Sequence, residues 1–134
     1  MICHYDDVVI APEMRKSRSV IVIGPRLRRR GRLATVVPLN TTAPLTIEAY
    51  HCRIELMQPL PPPFDASIMW AKCDMITSVS LDRLDRFKMP RSAHGGVRKW
   101  MTGRLSDEQV DEVRHSVLAG LGLDYLINQA RKSI

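Results

Sequence analysis

Aromatic residues are scarce in this chain, with two Trp, three Tyr and two Phe among 134 residues. Platforms for stacking nucleobases are therefore few, and Trp70, Tyr50 and Trp100 read first as packing residues. Long apolar runs are absent as well. No segment approaches the roughly 18 residues of a membrane span, so no membrane partner is expected. The opening "MICHYDD" has no basic region followed by an apolar run, which argues against a signal peptide. Cysteine is limited to Cys3, Cys52 and Cys73, far apart and odd in number. With no CxxC pair they form neither a disulfide framework nor a zinc spacing. They read as reduced, partly buried thiols of a cytoplasmic protein. The four histidines, His4, His51, His94 and His115, are scattered without metal-ligand spacing, so neither a metal nor a cofactor is expected. His4 and His51 could face a groove, or be satisfied or exposed in the ordinary way.

What the chain does have is positive charge. Twenty Lys and Arg against fourteen Asp and Glu give a net charge of +6 and a pI near 9.7. That excess suits a nucleic acid or an acidic protein partner. The densest run is "RLRRRGR" (26–32), read as an exposed loop or hairpin tip. Arg28 and Arg30 within it could track an RNA backbone, or be solvated.

Hydrophobic patterning sets out the elements. "SVIVIG" (19–24) is a short β-branched strand ended by Gly24-Pro25. "LATVVPL" (33–39) is a second strand, and "YHCRIEL" (50–56) alternates as a third. The proline-rich "QPLPPPFD" (58–65) must be irregular and extended. "WAKCDMITSVS" (70–80) reads as the longest strand. Its Lys72 and Asp74 would then share a face, because strand side chains alternate with a period of two. "LDRLDRFKM" (81–89) fits a helical turn or a hairpin arm. "LSDEQVDEVRHSVLAGLGL" (105–123) is the clearest helix, with Ser106 as N-cap and Val110, Val113, Val117, Leu118 and Leu121 at helical spacing. Short strands followed by one amphipathic helix predict a mainly β fold with α, a small curled sheet or barrel covered by a C-terminal helix. Residues 1–123 read as one domain, and 124–134 as a tail or short helix.

"PEMRKSRSVIVIGP" followed by "TVVPLNTTAP", with Lys72-Cys73-Asp74 as a basic-x-Asp pair and the terminal helix, resembles the MazF/PemK toxins of type II toxin–antitoxin systems. Glu13, Lys16, Arg18 and strand 19–24 match one block, and Val37 to Thr42 match the next. The chain departs from the family pattern where Ser19 replaces a proline, where Asn40 replaces Thr or Ser, and where Lys72 stands for an arginine. The resemblance implies an SH3-like small β-barrel with a C-terminal amphipathic helix, usually as a homodimer. It implies metal-free cleavage of single-stranded RNA and an acidic antitoxin that covers the basic groove.

Metal-free cleavage can use the RNA's own 2′-hydroxyl, with a base, cations at the phosphate and an acid for the leaving oxygen. Asp74 is the candidate base, against the plainer reading of a structural ion pair with Lys72. Lys72 is a candidate phosphate cation or acid. Arg18 could grip a phosphate through two parallel hydrogen bonds. Thr41, with Asn40 and Thr42, could donate to a phosphate oxygen or satisfy its own turn. Glu13 and Lys16 could line the RNA groove. The alternative on the same fold is a module that binds nucleic acid or protein without cutting.

Overall fold

The computed structural model describes residues 1–4, 12, 17–25, 27–62, 64, 66–89, 101 and 104–127. The strands are β1 (Ile2–Cys3), β2 (Arg18–Val22), β3 (Leu33–Asn40), β4 (His51–Glu55), β5 (Ile68–Lys72), β6 (Thr77–Ser80) and β7 (Leu84–Asp85). Helix α1 spans Asp107–Gly120, and helical backbone returns at 125–127. The sheet is antiparallel in the order β4-β5-β3-β2-β1-β7, with β6 also paired to β3. The mainly β class with a C-terminal helix is the one the sequence predicts.

β3 is the spine. Its Val36, Val37, Pro38 and Leu39 are all buried, so apolar side chains leave both faces of the strand into packing. Val37 and Leu39 enter the larger core with Ile21, Cys52, Ile54, Met69 and Ala71. Val36 points the other way, into a smaller core with Cys3, Val20 and Val79. Neighbouring residues on a strand project to opposite faces, so β2 and β3 form a wall with a core on each side.

The predicted strand over 70–80 is not continuous. A 3-10 turn, Cys73–Met75, divides it into β5 and β6. Both halves pair with the same edge of β3, Leu39 with Ala71 and Val36 with Thr77. From Leu39 back to Val36 is three steps, whereas from Ala71 to Thr77 is six, and the three surplus residues match the length of the turn. The ladder on this edge lapses beside Pro38, which has no N–H to contribute. Pro38 therefore lies inside β3 rather than closing it.

Helix α1 packs on the larger core through Val113 and Val117, each fully or nearly buried. Burying one such valine contributes about 1.5–3 kcal/mol. Its N-terminus carries a capping box: Ser106 Oγ accepts from the Gln109 N–H at 3.2 Å, and Gln109 Oε1 accepts from the Ser106 N–H at 3.0 Å. Gln109 Nε2 also donates to the Glu55 carbonyl at 2.7 Å, which ties the helix start to edge strand β4. At its other end Gly120 abuts the 3-10 turn. A Cβ there would stand 3.1 Å from Asp74 Cα, 3.1 Å from the Cys73 carbonyl oxygen and 3.2 Å from Asp74 N.

All three cysteines are free and buried, as expected of reduced thiols. Cys73 points away from its neighbours Lys72 and Asp74 and its Sγ lies 3.7 Å from the Val113 carbonyl oxygen. Burial, and then the charges of Cys52 and Asp74, push the Cys73 thiol up to about 12. Burial also raises Cys52, against a lowering hydrogen bond from Ser116. Neither is poised as a nucleophile.

In the arginine-rich loop after β2, Arg30 N–H donates to the Leu27 carbonyl at 3.2 Å and Leu33 N–H to the Arg30 carbonyl at 3.0 Å. Arg29, not the glycine beside the run, takes the left-handed backbone, with φ 61°. The 81–89 stretch divides into a 3-10 turn, Leu81–Arg83, and the short strand β7.

Candidate functional site

The strand registers bring the polar candidates into rows on one face of the sheet. Trp70 lies opposite Asn40 on one side and Arg53 on the other. Continuing the β2–β3 register from Val20 opposite Pro38 sets Arg18 level with Asn40. In the next row His51 lies opposite Lys72. Directly opposed residues share a face. Arg18, Asn40, Trp70, Arg53, Lys72 and His51 therefore project together, away from Leu39, Ala71 and Cys52. This is the face that carries the smaller core along the first half of β3 and opens where that strand ends.

There a cavity of about 280 Å³ is lined by Asn40, Thr42, His51, Trp70 and Lys72, with Ala43, Pro44 and Leu45 at its apolar side. Lys72 is half-buried at the last position of β5. Asn40 Oδ1 accepts from the Thr42 N–H at 3.4 Å, a turn of the kind short polar side chains make, which leaves the amide NH2 for another partner. Thr41, between them, is exposed and does not line the cavity. His51 Nδ1 accepts from the Glu48 N–H at 3.0 Å. In the neutral ring the proton then sits on Nε2. The Tyr50 and His51 rings are 4.6 Å apart and tilted by 58°. Arg18 begins β2, half-buried, and its Nε is buried with no hydrogen-bond partner among the described residues. A buried donor left unpaired costs about 1–3 kcal/mol, so such a group invites an acceptor from outside.

Asp74 is placed differently from the sequence expectation. It lies on the 3-10 turn rather than in a strand, so it does not share a strand face with Lys72. Its side chain is exposed, so the expected partial burial is missing. No Lys72–Asp74 ion pair occurs; the ion pairs of the described residues include Arg32–Asp82, Arg53–Glu55 and Arg114–Asp111. The physical reason is the lapse in the β3 ladder, which lets the chain turn at Cys73 and hands Asp74 to solvent. What fixes the turn is the close seat of Gly120 against its backbone.

Arg28 and Arg30 are exposed in the loop that precedes Leu33. The cavity lies at the other end of β3, about 23 Å away at about 3.3 Å per residue. The structure does not bring them to it. Glu13 and Lys16 lie outside the described residues. Two cavity residues, His51 and Trp70, are not among the catalytic or RNA-binding candidates read from the sequence. The signal for both is present there: Cys52 and Ile54, like Met69 and Ala71, alternate inward, which turns His51 and Trp70 outward beside Lys72.

Comparison with known proteins places this geometry. The family model described as "PemK-like, MazF-like toxin of type II toxin-antitoxin system" matches residues 1–120. The uncharacterized protein YifN of Escherichia coli (strain K12) is 30% identical over 127 residues, covering 92% of this chain and 79% of that protein. Among solved structures, the Mycobacterium tuberculosis toxin MazF-mt6 superposes with a TM-score of 0.55 at 17% identity, covering 84% of this chain and 93% of that one. A structure described as an endoribonuclease from Mycobacterial species gives 0.51 at 14% identity, covering 91% and 88%. At these identities the two structures show a shared fold.

Proposed function

The chain belongs to the PemK-like, MazF-like toxin family of type II toxin–antitoxin systems, and from that premise we propose that it is an endoribonuclease that cuts single-stranded RNA through the RNA's own 2′-hydroxyl. The observation that carries the reading is the cavity at the end of β3, where Asn40, Thr42 and Lys72 meet on the sheet face that also carries Arg18 with its unsatisfied Nε. Arg18 and Lys72 are fixed cations for a phosphate, and fixed cations at developing charge supply a large part of such catalysis. Thr41 or Thr42 donates a hydroxyl to a phosphate oxygen. Asp74, on the turn that follows Lys72, takes the proton from the 2′-hydroxyl as its oxygen bonds to phosphorus; the bond to the 5′-oxygen breaks, Lys72 gives that oxygen a proton, and a 2′,3′-cyclic phosphate is left. A well-placed base of this kind contributes about 10²–10⁴ in rate. A basic chain of net charge +6 also suits an antitoxin with an acidic segment, which would occupy the same groove. As in the family, the active form is a homodimer.

One observation favours the second reading, a binding module without catalysis: Asp74 is exposed and does not line the cavity. A single experiment separates the two. The purified protein is incubated with a long single-stranded RNA in EDTA, beside an Arg18→Ala/Asp74→Ala double variant. Discrete fragments ending in 2′,3′-cyclic phosphate, from the wild type only, support the nuclease. RNA retained but uncut by the wild type supports the binding module and overturns the nuclease reading.

A further inference from the structure

We infer that the cavity at the end of β3 is a subsite for one nucleobase, selective for a base with a carbonyl at C4 or C6 (uracil O4, guanine O6) over one with an amino group at that position (cytosine N4, adenine N6). The inference rests on the RNA-directed reading above and names the part of the RNA that this chain's own residues read.

The walls suit a flat ring. Trp70 stands half-exposed on the outward face, and the lining also includes the apolar Pro44 and Leu45. Leu45 is wholly exposed in the free protein, at 108% of its reference area, so an occupant would cover a side chain that nothing covers now. Bases stack on tryptophan whatever their identity, so Trp70 supplies affinity without choice. A volume of about 280 Å³ lies at the small end of ligand pockets and suits one base rather than a string of them.

Choice comes from the polar groups, and they are donors. The Glu48 N–H occupies His51 Nδ1, so the neutral ring presents Nε2–H. The Thr42 N–H takes one lone pair of Asn40 Oδ1, and the whole NH2 of that side chain is left to offer. Lys72 presents an ammonium, a donor with no acceptor. The remaining acceptors among these side chains are the Thr42 hydroxyl, which serves either way, and the second lone pair of Asn40 Oδ1. No carboxylate lines the cavity among the described residues. Uracil O4 or guanine O6 meets partners here. The amino group at the same position of cytosine or adenine faces other N–H donors, and each is left unpaired in a closed contact. The two hydrogen bonds that fix this polarity are made by backbone N–H groups of the loops flanking the cavity. The selectivity is therefore set by the fold before any RNA arrives.

Non-cleavable 2′-O-methyl oligomers of twelve uridines or twelve cytidines test this, because the two bases differ at the carbonyl or amino group on C4. Binding is read by tryptophan fluorescence in a Trp100→Phe background, where Trp70 is the sole reporter. The uridine oligomer is expected to bind about tenfold more tightly and to quench Trp70. His51→Phe keeps a ring but no donor, and should pull the ratio towards one while affinity for the cytidine oligomer holds. His51→Gln, with an N–H near the Nε2 position, should retain most of the preference, which guards against a folding defect in the first variant. Equal affinities, a cytidine preference, a ratio that survives His51→Phe, or binding without quenching would each overturn the inference. The cleavage assay is separate: RNA cut by a protein that binds both oligomers equally would sink the base subsite and leave the nuclease standing.

Discussion

Replacing Gly120 with alanine sets two effects of opposite sign against each other. Gly120 ends α1 with φ outside the left-handed range, so alanine fits its backbone. By helix propensity and chain entropy alone the change should stabilise by about 0.4–1 kcal/mol, and less at a helix end. The added Cβ, however, would stand 3.1–3.2 Å from three backbone atoms of Cys73 and Asp74. None of these is the flexible end of a side chain, so turn or helix must move by a few tenths of an ångström. Overpacking of this kind costs about 1–3 kcal/mol. The steric term wins, and the expected net loss is about 1 kcal/mol, or about 4 °C in Tm for a chain of this size. The displaced turn carries Asp74. Misplacement by 1 Å can cost about 100-fold, so a shift of a few tenths should slow RNA cleavage by about threefold to tenfold. Thermal melting by circular dichroism and a fluorogenic RNA assay measure the two effects on one sample. Gly122→Ala is the control: Gly122 has φ +73° and nothing within 4 Å of where a methyl group would stand, so it should lose stability through backbone strain and leave the rate alone. A Gly120→Ala protein that melts higher and cuts RNA at the wild-type rate would refute the claim that this contact positions the turn.

Further outcomes follow from other contacts. Ser106→Ala removes the capping box and should cost about 1 kcal/mol in denaturant unfolding, while Ser106→Asp should restore most of it. Gly24→Ala would drive a Cβ to 2.8 Å from Thr35 Cβ and should cost about 1–3 kcal/mol, which Thr35→Ala should not recover because alanine keeps that Cβ. Cys73 should resist thiol reagents until the protein unfolds. Its folded pKa, about 12, lies above the unfolded value, so the native state holds more protons between the two. Stability from this group is full below about pH 9 and falls as pH rises toward 12, and a Cys73→Ala protein should show a flatter alkaline decline in melting temperature. Lys72→Ala should lower cleavage by about 10²-fold or more with little change in Tm, since its ammonium is held by no ion pair among the described residues.

Much of the fold was legible because local signals agreed. Ser106, the acidic first turn and the spacing of Val113 and Val117 place α1 to within three residues at either end of where it lies. Alternation in "YHCRIEL" places β4, and β-branched residues place β2. The turn at Cys73–Met75 was not legible. Met69, Ala71, Cys73 and Met75 fall on odd positions, so a period of two runs straight through the turn and slips only after it, at Ile76 and Thr77. What interrupts the strand is the partner strand's Pro38, distant in sequence, and the seat of Gly120. For the same reason the site was half legible. Lys72, Asn40 and Thr42 line one cavity, as their places at strand ends allow, whereas Asp74 depended on a strand that tertiary contacts divide. His51 and Trp70 were marked by alternation but belong to residue types that more often serve packing.

The odd-numbered residues either side of that turn have a consequence for how damage spreads. Met69 and Ala71 feed the core on one side of β3, and Val79 feeds the core on the other. A stretch that reads as one stripe thus belongs to two compartments separated by a shared wall. Truncations of Met69 and Val79 should then add as though they were in different molecules, although the two residues lie ten positions apart on almost the same strand line. Truncations of Met69 and its direct partner Ile54 should not. The smaller compartment is the one whose face continues into the cavity at the end of β3. Loosening it would be felt at Arg18 and Asn40 before it was felt in the helix.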